Sequence, residues 1–433
     1  MYEICALFVG IGLRMWLFRM PRVLLWISSR PEIETPLTSW GRLIEGEALM
    51  RNSQSYQNKH SYHGSTLLLA LISYLNLNAP FLVEILFIAS DVISAVALYL
   101  FAQKFLRKEL KSQKECKEKL FKGVSSILIK PEHVSKVPTI ICALYMCNPF
   151  SLATCISKSS VTFNNLFLAL FLLSAVQGSI WQMAFYVALS TYETLYPVQL
   201  LLATGLCAWK YQEKPSTLKI CYLKSLACFT FWMALILTLS FLCEPTTSSL
   251  LSHYKFILSA PDQTPNVGVF WYFFTEVFDH FHTFFMCVFQ INVLIYSIPM
   301  SIKLKSHPVF LVFMLIAITG IFKSYPSVGD ASLWLCLLPL WSHTFSYLRY
   351  PSVTGAMLLT STILCPVMWH MWINAHSANA NFYFAATLAY TTALVLITTD
   401  TAMAYLNWHV RIREGLKPCV AGTSEKAVLR LMN

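Results

Sequence analysis

The feature that most constrains this chain is a series of apolar runs too long and too uniform for a soluble fold. FTFWMALILTLSFLC (229–243) and VFLVFMLIAITGIF (309–322) stay apolar over most of a bilayer's depth. A soluble core would interleave polar residues, and these runs do not. Composition agrees: 56% of the 433 residues are hydrophobic, 12% are charged, and the mean hydropathy is +0.56. The fold class expected is all-α, a polytopic transmembrane helical bundle with short lumenal amphipathic helices.

Apolar segments of helical length fall near 3–19, 80–102, 138–155, 162–178, 181–193, 197–210, 224–243, 282–301, 308–323, 331–347, 353–372 and 382–406. They predict about twelve spans, with STLLLALISYL (65–75) as a further half-inserted helix. No heptads or repeats divide the chain, so residues 1–410 are read as one transmembrane domain and 411–433 as a tail.

The net charge of +11 raises nucleic acid as a partner, but Lys and Arg gather between the apolar runs, as membrane topology requires. The loop 103–137 holds ten Lys or Arg, including Lys104, Arg107, Lys108, Lys111, Lys114 and Lys117, against four Glu. The positive-inside rule places it in the cytosol together with both termini, and Lys210, Lys214, Lys303, Lys305, Arg411, Arg413, Lys417, Lys426 and Arg430 agree. Arg19 and Arg22, on the other side of the first span, disagree and are outvoted. The lumenal elements are then the loop 20–79, the turns near 156–161 and 193–197, the aromatic segment 244–281, and short turns at 323–330 and 373–381. Thirteen cysteines form no C-x-x-C pair and mostly sit inside apolar runs, so neither a disulfide framework nor a zinc site is expected. Arg14 interrupts the first apolar stretch, which argues for a retained helix over a cleaved signal.

Candidate site residues are polar groups that the apolar pattern does not explain. Glu84 and Asp91 are seven apart in one span and so share a helix face, which must look into the bundle, either for a structural hydrogen bond to a neighbouring helix or for binding or transport. In SAPDQTPNVGVFWYFFTEVFDHF (259–281), a turn containing Asn266 leads into a short helix. Tyr272, Glu276, Asp279 and His280 share one side of it, while most of the phenylalanines take the other. Glu276, His280 and His282 make too thin a set for a metal. In FKSYPSVGDA (322–331), Lys323 and Asp330 either pair to close a turn or leave Lys323 for a phosphate and Tyr325 for a sugar. Asn379 and Asn381 in HSANANF (376–382) suit a helix cap or a hydroxyl-rich ligand. No nucleophile motif occurs, and no catalytic residue, metal or cofactor is expected.

Six strings, TPLTSWGRLIEG (35–46), NPFSLATCISKSSVTFNN (148–165), LSTYETLYP (189–197), the 259–281 stretch, FKSYPSVGD (322–330) and SANANF (377–382), resemble in order the PIG-U family, the U subunits of glycosylphosphatidylinositol (GPI) transamidase. The resemblance implies a non-catalytic endoplasmic reticulum subunit that recognises or presents the GPI lipid. Its implied partners are a protease-like catalytic subunit and three further membrane subunits. It also implies a distant relation to polytopic (GT-C type) mannosyltransferases that use dolichol-phosphate mannose. Their acidic pair in the first lumenal loop falls here on Leu37 and Ser39, leaving Glu32 and Glu34, read as solvated loop acids, to carry an active-enzyme alternative. A transporter or flippase built on Glu84 and Asp91 is the third reading. The chain departs from the family at SYQ (55–57) and HGST (63–66), where His63 is kept without an adjacent acid.

Overall fold

The computed structural model describes residues 2–51, 62–115, 127–212, 216–244 and 247–415, without the side chains of 247–250 and 414. SYQ (55–57), Lys117, Lys214, Lys417, Lys426 and Arg430 lie outside the described residues. Within them the chain is all-helical. The first helices are α1 (Tyr2–Phe18), α2 (Pro21–Ser28), α3 (Trp40–Arg51), α4 (Thr66–Asn78), α5 (Phe81–Glu115), α6 (Pro131–Cys147) and α7 (Pro149–Ile156). Next come α8 (Val161–Gln177), α9 (Ile180–Thr194), α10 (Leu200–Tyr211), α11 (Leu218–Cys243), α12 (Thr247–Ser259), α13 (Phe270–Glu276) and α14 (Asp279–Leu294). The last are α15 (Ser297–Lys303), α16 (Pro308–Phe322), α17 (Val328–Cys336), α18 (Pro351–Trp369) and α19 (Ala380–Glu414).

Every expected apolar run contains a helix, but the runs do not give twelve helices each long enough to cross. Five are long and apolar enough, and the bent pairs α1–α2 (93°) and α6–α7 (45°) raise the number to seven. The shortfall lies in α8, α9, α10, α16 and α17, whose 17, 15, 12, 15 and 9 residues are too few to pass as spans. At the bend between α6 and α7, Asn148 caps α7 through Phe150 N–H (2.9 Å) and Pro149 occupies its first position, so one apolar run becomes two helices. Arg19 and Arg22 flank the bend between α1 and α2. The segment 65–75 forms α4, its start fixed by Ser65 accepting from Leu68 N–H at 3.2 Å. The basic loop 103–137 is helical at both ends, since α5 runs on to Glu115 and α6 begins at Pro131.

The run with no polar face lies deepest: nearly all of α16 is buried. It packs against α10, α17 and α19, and Phe310 stacks on Tyr405 at 3.8 Å beside Trp341. Around it α5, α6, α8 and α9 form one group, and α18 with α19 form an antiparallel hairpin. Lipid offers apolar side chains as good a home as a neighbouring helix does, so close packing and buried polar bonds must hold the helices together. Tyr192 and Ser240 hydroxyls bond at 2.8 Å between α9 and α11, and Asn165 donates to Gly329 C=O at 3.0 Å between α8 and α17.

Contacts define two ends. Loops 29–39, 157–160, 259–269 and 323–327 meet at one, through Val328 N–H to Glu32 C=O (2.9 Å), Ser160 N–H to Thr38 C=O (3.2 Å) and Arg42 to Asp262 (2.6 Å). The other end gathers the basic segments, with Lys210 on Glu109 (3.2 Å), Lys108 on Val176 C=O (2.7 Å) and Trp408 Nε1 on Ile127 C=O (2.8 Å).

Candidate functional site

Arg14 and Asp91 are the most buried charges, and they meet. Arg14 Nε lies 2.9 Å from Asp91 Oδ2, and the other guanidinium hydrogens reach Gly10 C=O, Met146 C=O and Ser151 Oγ at 3.1, 2.8 and 3.3 Å. Tyr145 donates to the remaining Asp91 oxygen at 3.1 Å. With Nη2 also 2.8 Å from Asp91 Oδ2, the guanidinium is engaged at every nitrogen, so this is a closed structural pair joining α1, α5 and α6. Glu84 departs from expectation. It stands in the first turn of α5, about 10 Å along the axis from Asp91 at helical rise, with its side chain 46% exposed and Lys158 at 3.5 Å. Because α5 starts only at Phe81, the shared face places Glu84 at the rim and not inside the bundle.

The 259–281 stretch is not one short helix followed by its end. α13 stops at Glu276, Val277 and Phe278 are extended, and α14 restarts at Asp279. Phe270 and Phe274 therefore turn inward onto Phe289, Met286 and Tyr325, while Phe278 is left 72% exposed. Glu276, Asp279 and His280 point outward, and His280 rests on Phe281. Tyr272 donates its hydroxyl to Asn381 and stacks on Phe384 at 4.2 Å, so α13 and the start of α19 share one polar contact. Asn379 caps α19 by accepting from Asn381 N–H at 3.0 Å.

Other candidates are satisfied internally. Asn266 is fully buried in a turn, with Oδ1 on Gly268 N–H at 2.8 Å. Lys323 and Asp330 form a buried pair at 2.7 Å, and the second Asp330 oxygen accepts from Ser327 N–H at 2.9 Å to cap α17. Tyr325 stacks on Phe256 at 5.4 Å and its hydroxyl accepts from Asp262 N–H at 3.2 Å. Burial alone would raise the Asp262 carboxyl, but bonds from Thr264 and Arg42 hold it below its ordinary value.

Glu32 and Glu34 are not solvated. Arg30 clasps Glu32 through two bonds of 3.1 Å, and both residues are buried. Burial pushes the Glu34 carboxyl up to about 7, against a bond of 2.7 Å from Ser39 Oγ that favours the charged form. Arg30 and Glu32 line a cavity of about 230 Å³ whose remaining wall is mostly apolar and comes chiefly from α2, α7, α18 and α19, including Trp26, Phe150, Cys365, Pro366 and Tyr390. The Tyr390 hydroxyl is buried there with no bonding partner among the described residues. Such a space, mostly apolar with one ion pair in its wall, suits an amphiphile.

A profile of the family described as "GPI transamidase subunit PIG-U" matches residues 8–390. The chain belongs to the PIG-U family. It is 37% identical over 423 residues to the GPI-anchor transamidase component PIGU of Cricetulus griseus and 36% identical over 423 residues to that of Homo sapiens, with 95% of each chain covered in both comparisons. The GPI transamidase component GAB1 of Saccharomyces cerevisiae is 29% identical over 380 residues, covering 87% of this chain and 86% of its own. The chain is thus a subunit of GPI transamidase, a membrane protein of GPI-anchor biosynthesis.

Of the residues singled out in sequence, the fold brings together Tyr272 with Asn381 and Lys323 with Asp330. It does not join either set to Glu276, Asp279 or His280 through any bond found among the described residues. The cavity itself went unread: Arg30 stands two residues before Glu32 and was visible as a possible pair, but Tyr390 and Cys365 carry no local mark.

Proposed function

We propose that this chain is a non-catalytic subunit that holds the GPI lipid near the protease-like subunit in the endoplasmic reticulum membrane. The single observation that carries the reading is the mostly apolar cavity lined by the Arg30–Glu32 pair and by a Tyr390 hydroxyl that has no partner among the described residues. The lipid's chains would lie along α18 and its polar part beside Arg30 and Glu32, with Tyr272, Asn379, Asn381, Glu276, Asp279 and His280 on the lumenal surface for glycan or partner subunits. In this arrangement the end holding loops 29–39 and 259–269 is lumenal, the basic end and both termini are cytosolic, and the shorter helices complete about twelve spans in a GT-C-like bundle. Three membrane subunits besides the protease-like one would complete the complex.

A photoactivatable GPI analogue added to the intact complex tests this. Label is expected on α18 and α19 beside Cys365 and Tyr390, and it should vanish in Cys365→Trp while partner subunits still co-purify. Label confined to the outer face of α11 would overturn the reading.

A second reading has one observation in its favour. Glu34, with a carboxyl near 7, is poised as a general base of the kind a dolichol-phosphate-mannose-dependent mannosyltransferase needs. Glu34→Gln should then abolish function, and full rescue of GPI attachment by that variant removes the enzyme reading.

A further inference from the structure

The basic end of the bundle carries a second cavity, of about 340 Å³, between α5 and α6. Arg107, Lys111 and Lys114 line it from one face of α5, at spacings of four and three, and Pro131 and Val134 form an apolar wall opposite. Membrane topology alone asks only for scattered cations at this end. Here they converge, and the acids around them are turned elsewhere: Glu109 pairs with Lys210 at 3.2 Å and Glu132 with Lys136 at 3.0 Å. Among the described residues neither Arg107 nor Lys114 has an acidic partner, and Lys111 has only the exposed Glu115 at 3.7 Å. Phe105 and Leu106 just before the row are buried in the bundle, so the cations begin where the packed part of α5 ends. From Arg107 to Lys114 the axis rises about 10 Å, comparable with the depth of a headgroup layer.

We propose that this cavity binds the headgroup of an acidic glycerophospholipid such as phosphatidylserine. The row of cations meets the phosphate and carboxylate, and Pro131 with Val134 covers the glycerol and upper chain. The occupant is a lipid and not a soluble anion, because one wall is apolar and the cations begin where the packed part of α5 ends. The site is separate from the cavity lined by Arg30 and Glu32, and nothing in it depends on GPI binding there.

The test reconstitutes the full chain in vesicles of phosphatidylcholine and phosphatidylserine, re-extracts it, and measures the ratio of the two lipids that co-purify. Phosphatidylserine is expected to be enriched over the vesicle mixture. Arg107→Gln/Lys111→Gln/Lys114→Gln should bring the ratio back to that of the bulk, a loss of up to about fivefold per cation removed. A charge-matched control, Lys219→Gln/Lys224→Gln/Lys303→Gln, should keep the enrichment, and so should the charge-preserving Arg107→Lys/Lys111→Arg/Lys114→Arg. Equal loss in site and control variants, or no enrichment in the parent chain, overturns the proposal. So does displacement of the lipid by soluble glycerophosphoserine at the same concentration as by phosphatidylserine micelles.

Discussion

At the scale of single residues, the buried charges divide by how completely they are satisfied. Arg14 and Asp91 have every polar atom engaged, so removing one partner strands the other. Asp91→Asn is expected to destabilise the protein by about 3–5 kcal/mol, read as a fall in the thermal midpoint in micelles. The double variant Arg14→Met/Asp91→Leu should recover much of that loss, and failure to recover would mean that the pair does more than satisfy itself. Glu34 works in the opposite sense. Its carboxyl is raised from an ordinary value near 4.5 to about 7, so the folded state binds the proton more tightly than the unfolded chain does. The stability it contributes is complete below about 4.5 and is lost as pH rises through 7. Glu34→Gln should flatten the fall in thermal midpoint across that window, and an unchanged pH profile would contradict the raised value. Both Arg14 and Asp91 stand out in sequence as charges in apolar runs. Their partnership does not, because 77 residues separate them and only the packing of α1 on α5 and α6 brings them together.

At the scale of elements, apolar length and caps made the helices legible. The starts of α4, α7, α17 and α19 coincide with Ser65, Asn148, Ser327 and Asn379. What stayed hidden was where one run becomes two helices. The break at Val277–Phe278 lies in an aromatic-rich stretch without proline or glycine. Only the pull of Phe270 and Phe274 toward Phe289, on α14, accounts for the inward turn. Gly178 marks a different kind of boundary. Its φ of +76° ends α8, and a Cβ there would stand 2.8 Å from the backbone of Tyr211 and Gln212. Gly178→Ala should cost at least about 1–2 kcal/mol and loosen the contact of the α8–α9 turn with the end of α10. Protease sensitivity near residue 178 would report it, and unchanged protection would show that the turn yields without strain.

At the scale of the whole molecule, one cavity is mostly apolar with a buried ion pair in its wall, and another, at the basic end, is rimmed by cations. The grouping of basic segments was legible, since charge clusters between apolar runs are a topological signal. The cavities were not: the one beside Arg30 and Glu32 is walled by helices from distant parts of the chain, and the one between the consecutive helices α5 and α6 has walls whose sequences look like ordinary interfacial surface. The family strings at 259–281 and 377–382 meet in the fold, where Tyr272 of α13 bonds Asn381 of α19.

The Arg14–Asp91 pair also sets an order of events during synthesis. When α1 leaves the ribosome it carries a cation costing about 3 kcal/mol at mid-membrane, and its counter-ion is 77 residues behind. At ordinary rates of synthesis that gap lasts about 4–15 s. The first helix must therefore wait, shielded by the insertion machinery or held at the interface, until α5 arrives. Chains truncated before residue 81 should leave α1 poorly integrated and extractable by alkali, and chains extended through α6 should not. Arg14→Leu should abolish the difference, releasing the first helix from its dependence on a partner not yet made.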